Sequence, residues 1–584
     1  MKYFIPEWDD RVDPKYDFIT DTHSKMHEID PMKNDVYMWD IFGLERVPFD
    51  GVLISKMKIM QNKKKYQLIM DKGVHQFLRL PESFEIMGDC GAWGYIKDGE
   101  PPFKTNEIVD YYATCGFNYG VSIDHLIVPM VFRNNPEEKQ KRWKITIENA
   151  REFLDIWTSK DKYIQSFRPI GVAQGWDIES YRRAVVELLN MGYDYIGLGG
   201  LAKAQTGKLE SKSESKLLLP VLQGVWLDLK KYMDKTKKKI DLHVFGVARP
   251  NHFQTMSSLG VTSFDSASPL RRAWIGATGN YFSIEGKSYS AIRIPQTDRS
   301  PKAKEIIRGG KATLEQIQAL ERQCLKLMRN YDKELVDMDT VLKSVLEYDR
   351  FIGEGREQFE EYFRQTLKDK PWKMCPCVIC KNIGIEVIVF RGNNRNRRRG
   401  FHNTYVFYNV LKNPQLWSKF IKKRENEKRI ELLDFKKDQK VLVITGCTKE
   451  KLGCNSSVKA PAKQMYQGRL FKTVRKYCET MGFDYVVISA KYGLIRPEET
   501  IEGYEKVLRT KGDVERIRPV VEERLPPLLK NYDKIVVIAG KQYREVLKNL
   551  WDETFVAVKS RGYGDLCSIV KRAIPKERTL LDFK

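Results

Sequence analysis

No stretch of this 584-residue chain is apolar for long enough to cross a bilayer, and no basic-then-apolar leader follows Met1-Lys2-Tyr3. Both absences predict a cytoplasmic protein with no membrane partner. Cysteine is sparse, ten in all, and three of the ten fall within Cys375–Cys380. A disulfide framework would spread its cysteines through a small secreted chain. This pattern predicts reduced thiols with one metal cluster. There is no glycine-rich loop of the Walker kind, so nothing points to nucleotide hydrolysis. Acidic residues fall short of basic ones, 77 against 101, a formal charge of +24. Such an excess of Lys and Arg suits a polyanionic partner, since phosphate contacts release condensed counterions.

Apolar residues make up 42% of the chain and aromatics 11%, enough at this length for two or three folded domains. From Gly51 onward, short apolar runs alternate with helical periodicity, the pattern of a parallel α/β fold. The strands expected are Gly51–Ser55, Phe84–Met87, Tyr119–Ile123, Ile170–Ala173, Tyr195–Leu198, Leu242–Val247, Val261–Phe264 and Ser290–Ile294. Helices are expected over Glu137–Trp157 and Ile178–Met191, among others. Eight such units over about 245 residues predict a closed (β/α)8 barrel of the TIM type across 51–299. Residues 1–50 are polar and aromatic, and predict an extended N-terminal wrap. Residues 300–372 predict a helical insert. Within it Thr313-Leu314-Glu315-Gln316 has capping-box form, and Leu314, Ile317, Leu320, Cys324 and Leu327 mark one apolar face. A zinc-binding subdomain with a charged linker is expected over 373–436. Strands at 441–444, 485–488 and 534–538 predict an open-sheet, Rossmann-like α/β domain over 437–584.

Several expected strands end in a polar residue or a glycine pair: Asp89, Asp124, Gln174, Gly199-Gly200 and Asp265. Any one of them alone also reads as a loop cap or a solvated acid. Together on the C-terminal rim of a barrel they outline a pocket of three carboxylates, an amide and bare backbone. Such a pocket can hydrogen-bond a purine edge and move protons. Asp265 lies in Phe264-Asp265-Ser266-Ala267-Ser268-Pro269-Leu270-Arg271, where an acid follows a buried strand and Pro turns the chain. A carboxylate so placed can attack a sugar carbon and split one hard displacement into two easier ones. The expectation is that Asp265 is a nucleophile at C1′ of a nucleotide.

Cys375, Cys377 and Cys380, with His402 after 21 intervening residues, offer three thiolates and one imidazole. That set closes a tetrahedral zinc site with no open position, so the metal would be structural. Between them, Arg391, Arg395, Arg397, Arg398 and Arg399 fall within nine residues. Pinned on a metal-anchored loop they would suit phosphates, with Arg271 and Arg272 adding to that surface. In the last domain, Gly446-Cys447-Thr448-Lys449, Ser489-Ala490-Lys491 and Gly540-Lys541 stand at strand carboxyl ends, where open sheets bind ligands. Cys447 reads there either as a nucleophile or as a buried bystander.

Five of these features occur in one order: Asp89-Cys90-Gly91-Ala92-Trp93, Gly171-Val172-Ala173-Gln174-Gly175, Gly199-Gly200-Leu201-Ala202, Asp265 to Arg271, and the cysteine cluster with its histidine. In them the segment 51–410 resembles the tRNA-guanine transglycosylase superfamily. Within it the likeness is greatest to the DpdA-type enzymes, which insert 7-deazaguanine bases into DNA. The resemblance implies that Asp265 is the covalent nucleophile and Asp89 the general acid/base. It implies that Asp124, Gln174, Gly199 and Gly200 read the purine edge, and that zinc is held by Cys375, Cys377, Cys380 and His402. Members that handle an aminomethyl-deazaguanine carry Glu where this chain has Gln205, and an amide cannot pair with an amine cation. The expected incoming base is therefore 7-cyano-7-deazaguanine. Ser266 and Leu270 stand where the tRNA enzymes have Cys and Thr, a departure that bears on the polynucleotide more than on the reaction; the likeness to the DpdA type makes DNA the expectation and tRNA the alternative. A catalytically silent nucleic-acid-binding protein with the same fold and a hydrolytic glycosylase leaving an abasic product are further alternatives. Further proteins of a DNA-modification system, and a homodimer, are partners it leaves open. The last domain resembles a family marked by Ser-Ala-Lys-Tyr-Gly-Leu, which implies no reaction.

Overall fold

The structure is a computed structural model. It describes the chain except for residues 129–131, 133–134, 202–216, 249, 277, 353–354, 356–358, 414–439, 453–457, 553, 559–562 and 575–584. Gln205 and the charged linker after residue 418 lie outside the described residues. Two compact units emerge, Met1–Ile421 and Lys422–Lys584. Among the described residues, no helix is long and apolar enough to cross a membrane.

The first unit is built on a closed barrel of eight parallel strands. They are β1 (Lys2–Pro6), β2 (Gly51–Ser55), β3 (Glu85–Asp89), β4 (Tyr119–Val121), β5 (Arg168–Ala173), β6 (Tyr195–Leu198), β7 (Asp241–Val244) and β8 (Ser263–Asp265). Neighbours follow chain order, and β8 returns to β1 with Asp265 opposite Phe4. The barrel count is as expected, but its membership is not. The opening strand is Lys2–Pro6, inside the segment read as an extended wrap. The segment expected as the eighth strand lies outside the barrel. There β11 (Ile292–Arg293) pairs with β12 (Val389–Phe390), after a hairpin of β9 (Tyr281–Phe282) and β10 (Ser288–Tyr289). Tyr-Phe-Ile is too short a run to declare itself among flanking prolines and acids, whereas Ser290–Ile294 has a strand's composition without a barrel neighbour.

Helices pack outside the strands, and their sequences explain their limits. The helix Ile178–Met191 starts where the Asp177 carboxylate accepts the Ser180 N–H, and stops at Gly192 with φ of 109°. Its Tyr181, Ala184, Val185, Leu188 and Leu189 recur at three- and four-residue steps and are all buried. Inside the barrel, Phe4, Leu53, Met87, Val121, Ile170, Val172 and Tyr195 fill the lumen, so it is a packed floor rather than a pore. The insert is helical, including Leu314–Asp332 with the expected Thr313–Gln316 capping box.

The second unit has a five-stranded sheet in the order β16-β15-β13-β18-β19: β13 (Val441–Gly446), β15 (Asp484–Ser489), β16 (Gly493–Ile495), β18 (Lys534–Ile538) and β19 (Phe555–Ala557). Only β16 runs antiparallel. A small ladder of β14 (Lys459–Pro461) and β17 (Thr500–Glu502) completes it. Its core is separate, centred on Val443, Ile444, Val487, Val537 and Ile538.

Candidate active site

The strand ends converge as expected. A cavity of about 120 Å³ is lined by Asp89, Asp124, Gln174, Gly199, Gly200, Gly246 and Asp265, with Leu53, Val121 and Val172 as its apolar base and Trp93 on its wall. Asp89 and Asp265 are the last residues of β3 and β8, and Gln174 and Gly199 directly follow β5 and β6. Each strand of a parallel barrel delivers its carboxyl end to the same face, so distant sequence positions meet.

Gln174 and Asp124 form one hydrogen-bonding edge. The Gln174 amide nitrogen donates to Asp124 Oδ2 at 2.6 Å, and its oxygen accepts the Ile127 N–H at 3.3 Å. Tyr181 O–H donates to the Gly199 carbonyl at 2.7 Å. Gly200 has φ of 74°, and a Cβ there would stand 2.8 Å from Gln174 Oε1 and 2.9 Å from the Ile127 carbonyl. The glycine pair is thus needed for the close approach of Gln174.

The three acids differ in environment. Burial, with Asp124 and Asp265 facing it, raises Asp89 to about 8. Burial raises Asp124 to about 6, against the pull of the Gln174 amide, which favours the ionised form. Asp265, 7% exposed, accepts the Gly246 N–H at Oδ1, 2.8 Å away. The same Oδ1 lies 3.2 Å from His243 Nε2. One acid held toward its protonated form thus faces another whose oxygen accepts a backbone N–H. Sequence reasoning gave His243 no role. The available signal was an imidazole between Leu242 and Val244, two buried apolar residues of β7.

The metal candidate is also assembled. The ligand atoms of Cys375, Cys377, Cys380 and His402 all lie within 4.8 Å of one another. His402 Nδ1 stands 3.5, 3.4 and 3.4 Å from the three sulfurs. Tetrahedral coordination at ordinary Zn–S and Zn–N lengths would put them about 3.6 Å apart. The histidine's Nε2 faces the Phe282 carbonyl at 2.7 Å, the outer contact that fixes a ligating ring. These four groups could hold a metal ion.

The arginine cluster contradicts its expected role. It lies on a helix, Gly392–Lys412, not on a loop, and Arg395, Arg398 and Arg399 are buried. Arg395 pairs with Asp21 and Glu386. Arg399 donates to the carbonyls of Ala273, Val387 and Val389. Arg398 donates to the Asp13 carbonyl, and half-buried Arg397 to that of Arg11. Arg395, Arg397 and Arg398 bind the N-terminal segment and Arg399 binds the carbonyls of Ala273, Val387 and Val389, so the buried guanidiniums are not presented to phosphates. Asp21 and the N-terminal carbonyls they bind lie far off in sequence, so the run read as a loop suited to phosphates. Arg271 stacks over Trp8 at 4.4 Å, and Arg272 donates to the carbonyls of Thr278 and Gly279. In the second unit Cys447 is buried and faces Tyr543 O–H at 3.1 Å.

A closed barrel with acids, an amide and a glycine pair at its mouth, in a unit that also carries a Cys3His cluster, has the layout of the guanine transglycosylase superfamily, whose members are pentosyltransferases. Comparison with known proteins narrows this. A DNA-guanine transglycosylase of Salmonella montevideo is 36% identical over 70% of this chain and 96% of its own length. The chain belongs to the DNA-guanine transglycosylase family. A tRNA-guanine(15) transglycosylase of Sulfolobus acidocaldarius is 25% identical, over 41% of this chain and 43% of the relative. Residues 441–563 match DUF6884, a family of unknown function. The uncharacterised protein YfjM of Bacillus subtilis is 26% identical over 24% of this chain and 99% of its own length.

Proposed function

We propose that the enzyme replaces guanine in DNA with 7-cyano-7-deazaguanine through a covalent bond between Asp265 and C1′ of the target nucleotide. The observation that carries this is Asp265 held at one oxygen, on the same cavity as protonated Asp89 and the Asp124–Gln174 edge. The target guanine leaves the base stack, at roughly a few kcal/mol, to enter the cavity. Its edge meets Asp124, Gln174 and the glycine pair. Asp265 attacks C1′ as the C1′–N9 bond breaks, and Asp89 gives its proton to the departing base. The incoming base then yields its N9 proton to Asp89 while N9 displaces the Asp265 carboxylate. Two inversions retain configuration, and the proton count closes without any redox or energy cofactor. Gln205 supports the cyano base by the amide argument. DNA is favoured by the Salmonella relative, which is matched over nearly all its length. Arg271 and Arg272 follow the nucleophile closely enough to meet flanking phosphates. Zinc suits the Cys3His set, where it would lock the helix Gly392–Lys412 to the cysteine loop.

The test is exchange of labelled guanine from DNA and from tRNA by the purified protein. Release from DNA, abolished in Asp265→Asn with DNA binding intact, is the result expected. Release from tRNA alone would overturn the choice of polynucleotide. Exchange by Asp265→Asn at the wild-type rate would overturn the mechanism.

A further inference from the structure

We propose that His243 is the positioning residue for the nucleophile, and that Ser263 and Tyr195 fix the tautomer that lets it serve. The inference rests on Asp265 attacking C1′. His243 lies on β7 with no exposed surface, directly opposite Ser263 in the ladder to β8. Its two ring nitrogens face opposite ways. Nε2 stands 3.2 Å from Asp265 Oδ1, and Nδ1 stands 2.8 Å from Ser263 Oγ. Ser263 Oγ is in turn 2.6 Å from Tyr195 O–H on β6. All four side chains are buried, so water cannot substitute for a missing partner.

The directions of these bonds follow from an ionised Asp265 and a neutral ring, the states that the proposed attack requires. An ionised carboxylate only accepts, so Nε2 must carry hydrogen and donate to Oδ1. A neutral ring then accepts at Nδ1 from the Ser263 hydroxyl, which accepts from Tyr195. Three side chains thus point their donors, in series, at the nucleophile. Without Ser263 O–H at Nδ1, the ring could hold its hydrogen there and turn a lone pair toward Asp265. The reliance on tautomer is that of an imidazole held by a buried partner.

Both donors, Gly246 N–H and His243 Nε2–H, reach the same oxygen. Oδ2 is therefore the oxygen that bonds to C1′. Once the Oδ2–C1′ bond forms, Oδ1 is the carbonyl oxygen of an ester and keeps both donors. When N9 of the incoming base attacks C1′, the Oδ2–C1′ bond breaks and its electron pair returns to the carboxylate. Donors at Oδ1 stabilise that developing charge. Losing His243 should hinder departure more than attack.

The experiment uses the full chain with a DNA duplex and free deazaguanine base, and reads exchange rate, KM for the base, and covalent adduct on denaturing gels. His243→Leu should lower kcat about a hundredfold with KM little changed, while the trapped adduct fraction rises. His243→Gln, whose amide nitrogen donates at similar reach, should recover most of the rate and return the adduct to its wild-type fraction. Ser263→Ala should show a milder form of the His243→Leu behaviour. Wild-type exchange by His243→Leu would overturn the proposal. So would exchange and adduct lost together without recovery in His243→Gln, since that marks a merely structural ring. Asp265→Asn separates the layers: an adduct in that variant removes the nucleophile assignment itself.

Discussion

Asp89 sits where burial and two facing carboxylates favour its acid form, at about 8. It therefore binds its proton more tightly folded than unfolded. That contribution to stability is full below about pH 4, where an unfolded aspartate titrates, and is lost as pH rises through about 8. Thermal melts should fall between pH 6 and pH 9 more steeply for wild type than for Asp89→Asn. The same proton makes Asp89 a donor at neutral pH, so exchange should decline above about pH 8, read as the alkaline limb of a rate profile. Gly199→Ala should drive the Gln174 amide from its place, because a Cβ there collides with it. The expected result is a KM for base raised about tenfold or more, with the barrel's melting temperature little changed. Asp89, Asp265, the amide and the glycine pair were legible in sequence because each stands at or directly after the end of an apolar strand, and Asp124 because it follows β4 by three residues. His243 was not, since nothing local distinguishes a buried donor from a core histidine.

The helix Gly392–Lys412 carries both His402 and the buried arginines, so it joins the Cys3His cluster to the N-terminal segment. Cys377→Ser should lose bound metal, seen by elemental analysis, and unfold this region, seen as increased amide exchange in 375–412. Arg395→Met should cost about 1–3 kcal/mol in denaturant titration, because Asp21 and Glu386 each lose one of two arginine partners and keep Arg391 and Arg329 respectively. Helices with caps and a sustained apolar stripe, such as Ile178–Met191, were legible to the residue. The arginine helix was not: composition marks charge but not the distant acid that buries it. Strand β1 escaped for a related reason, since a short strand is defined by the neighbours it pairs with.

At the scale of the molecule, the unit Met1–Ile421 holds every described residue of the site. A protein ending there should exchange bases at a rate within a few-fold of the full chain, measured on the same duplex. DNA affinity of the full chain should fall steeply and log-linearly with salt, as its excess of 101 basic over 77 acidic residues requires. The (β/α)8 architecture and the separate C-terminal sheet were both visible as alternating periodicity. What alternation could not supply was the order of closure. The ring is sealed only when the segment at 2–6 meets the one at 263–265. During synthesis the earliest strand must therefore wait, one edge unsatisfied, until Asp265 has been translated. The pairing that completes the wall is the one that sets Asp265 in place, so an unfinished chain carries no assembled chemistry.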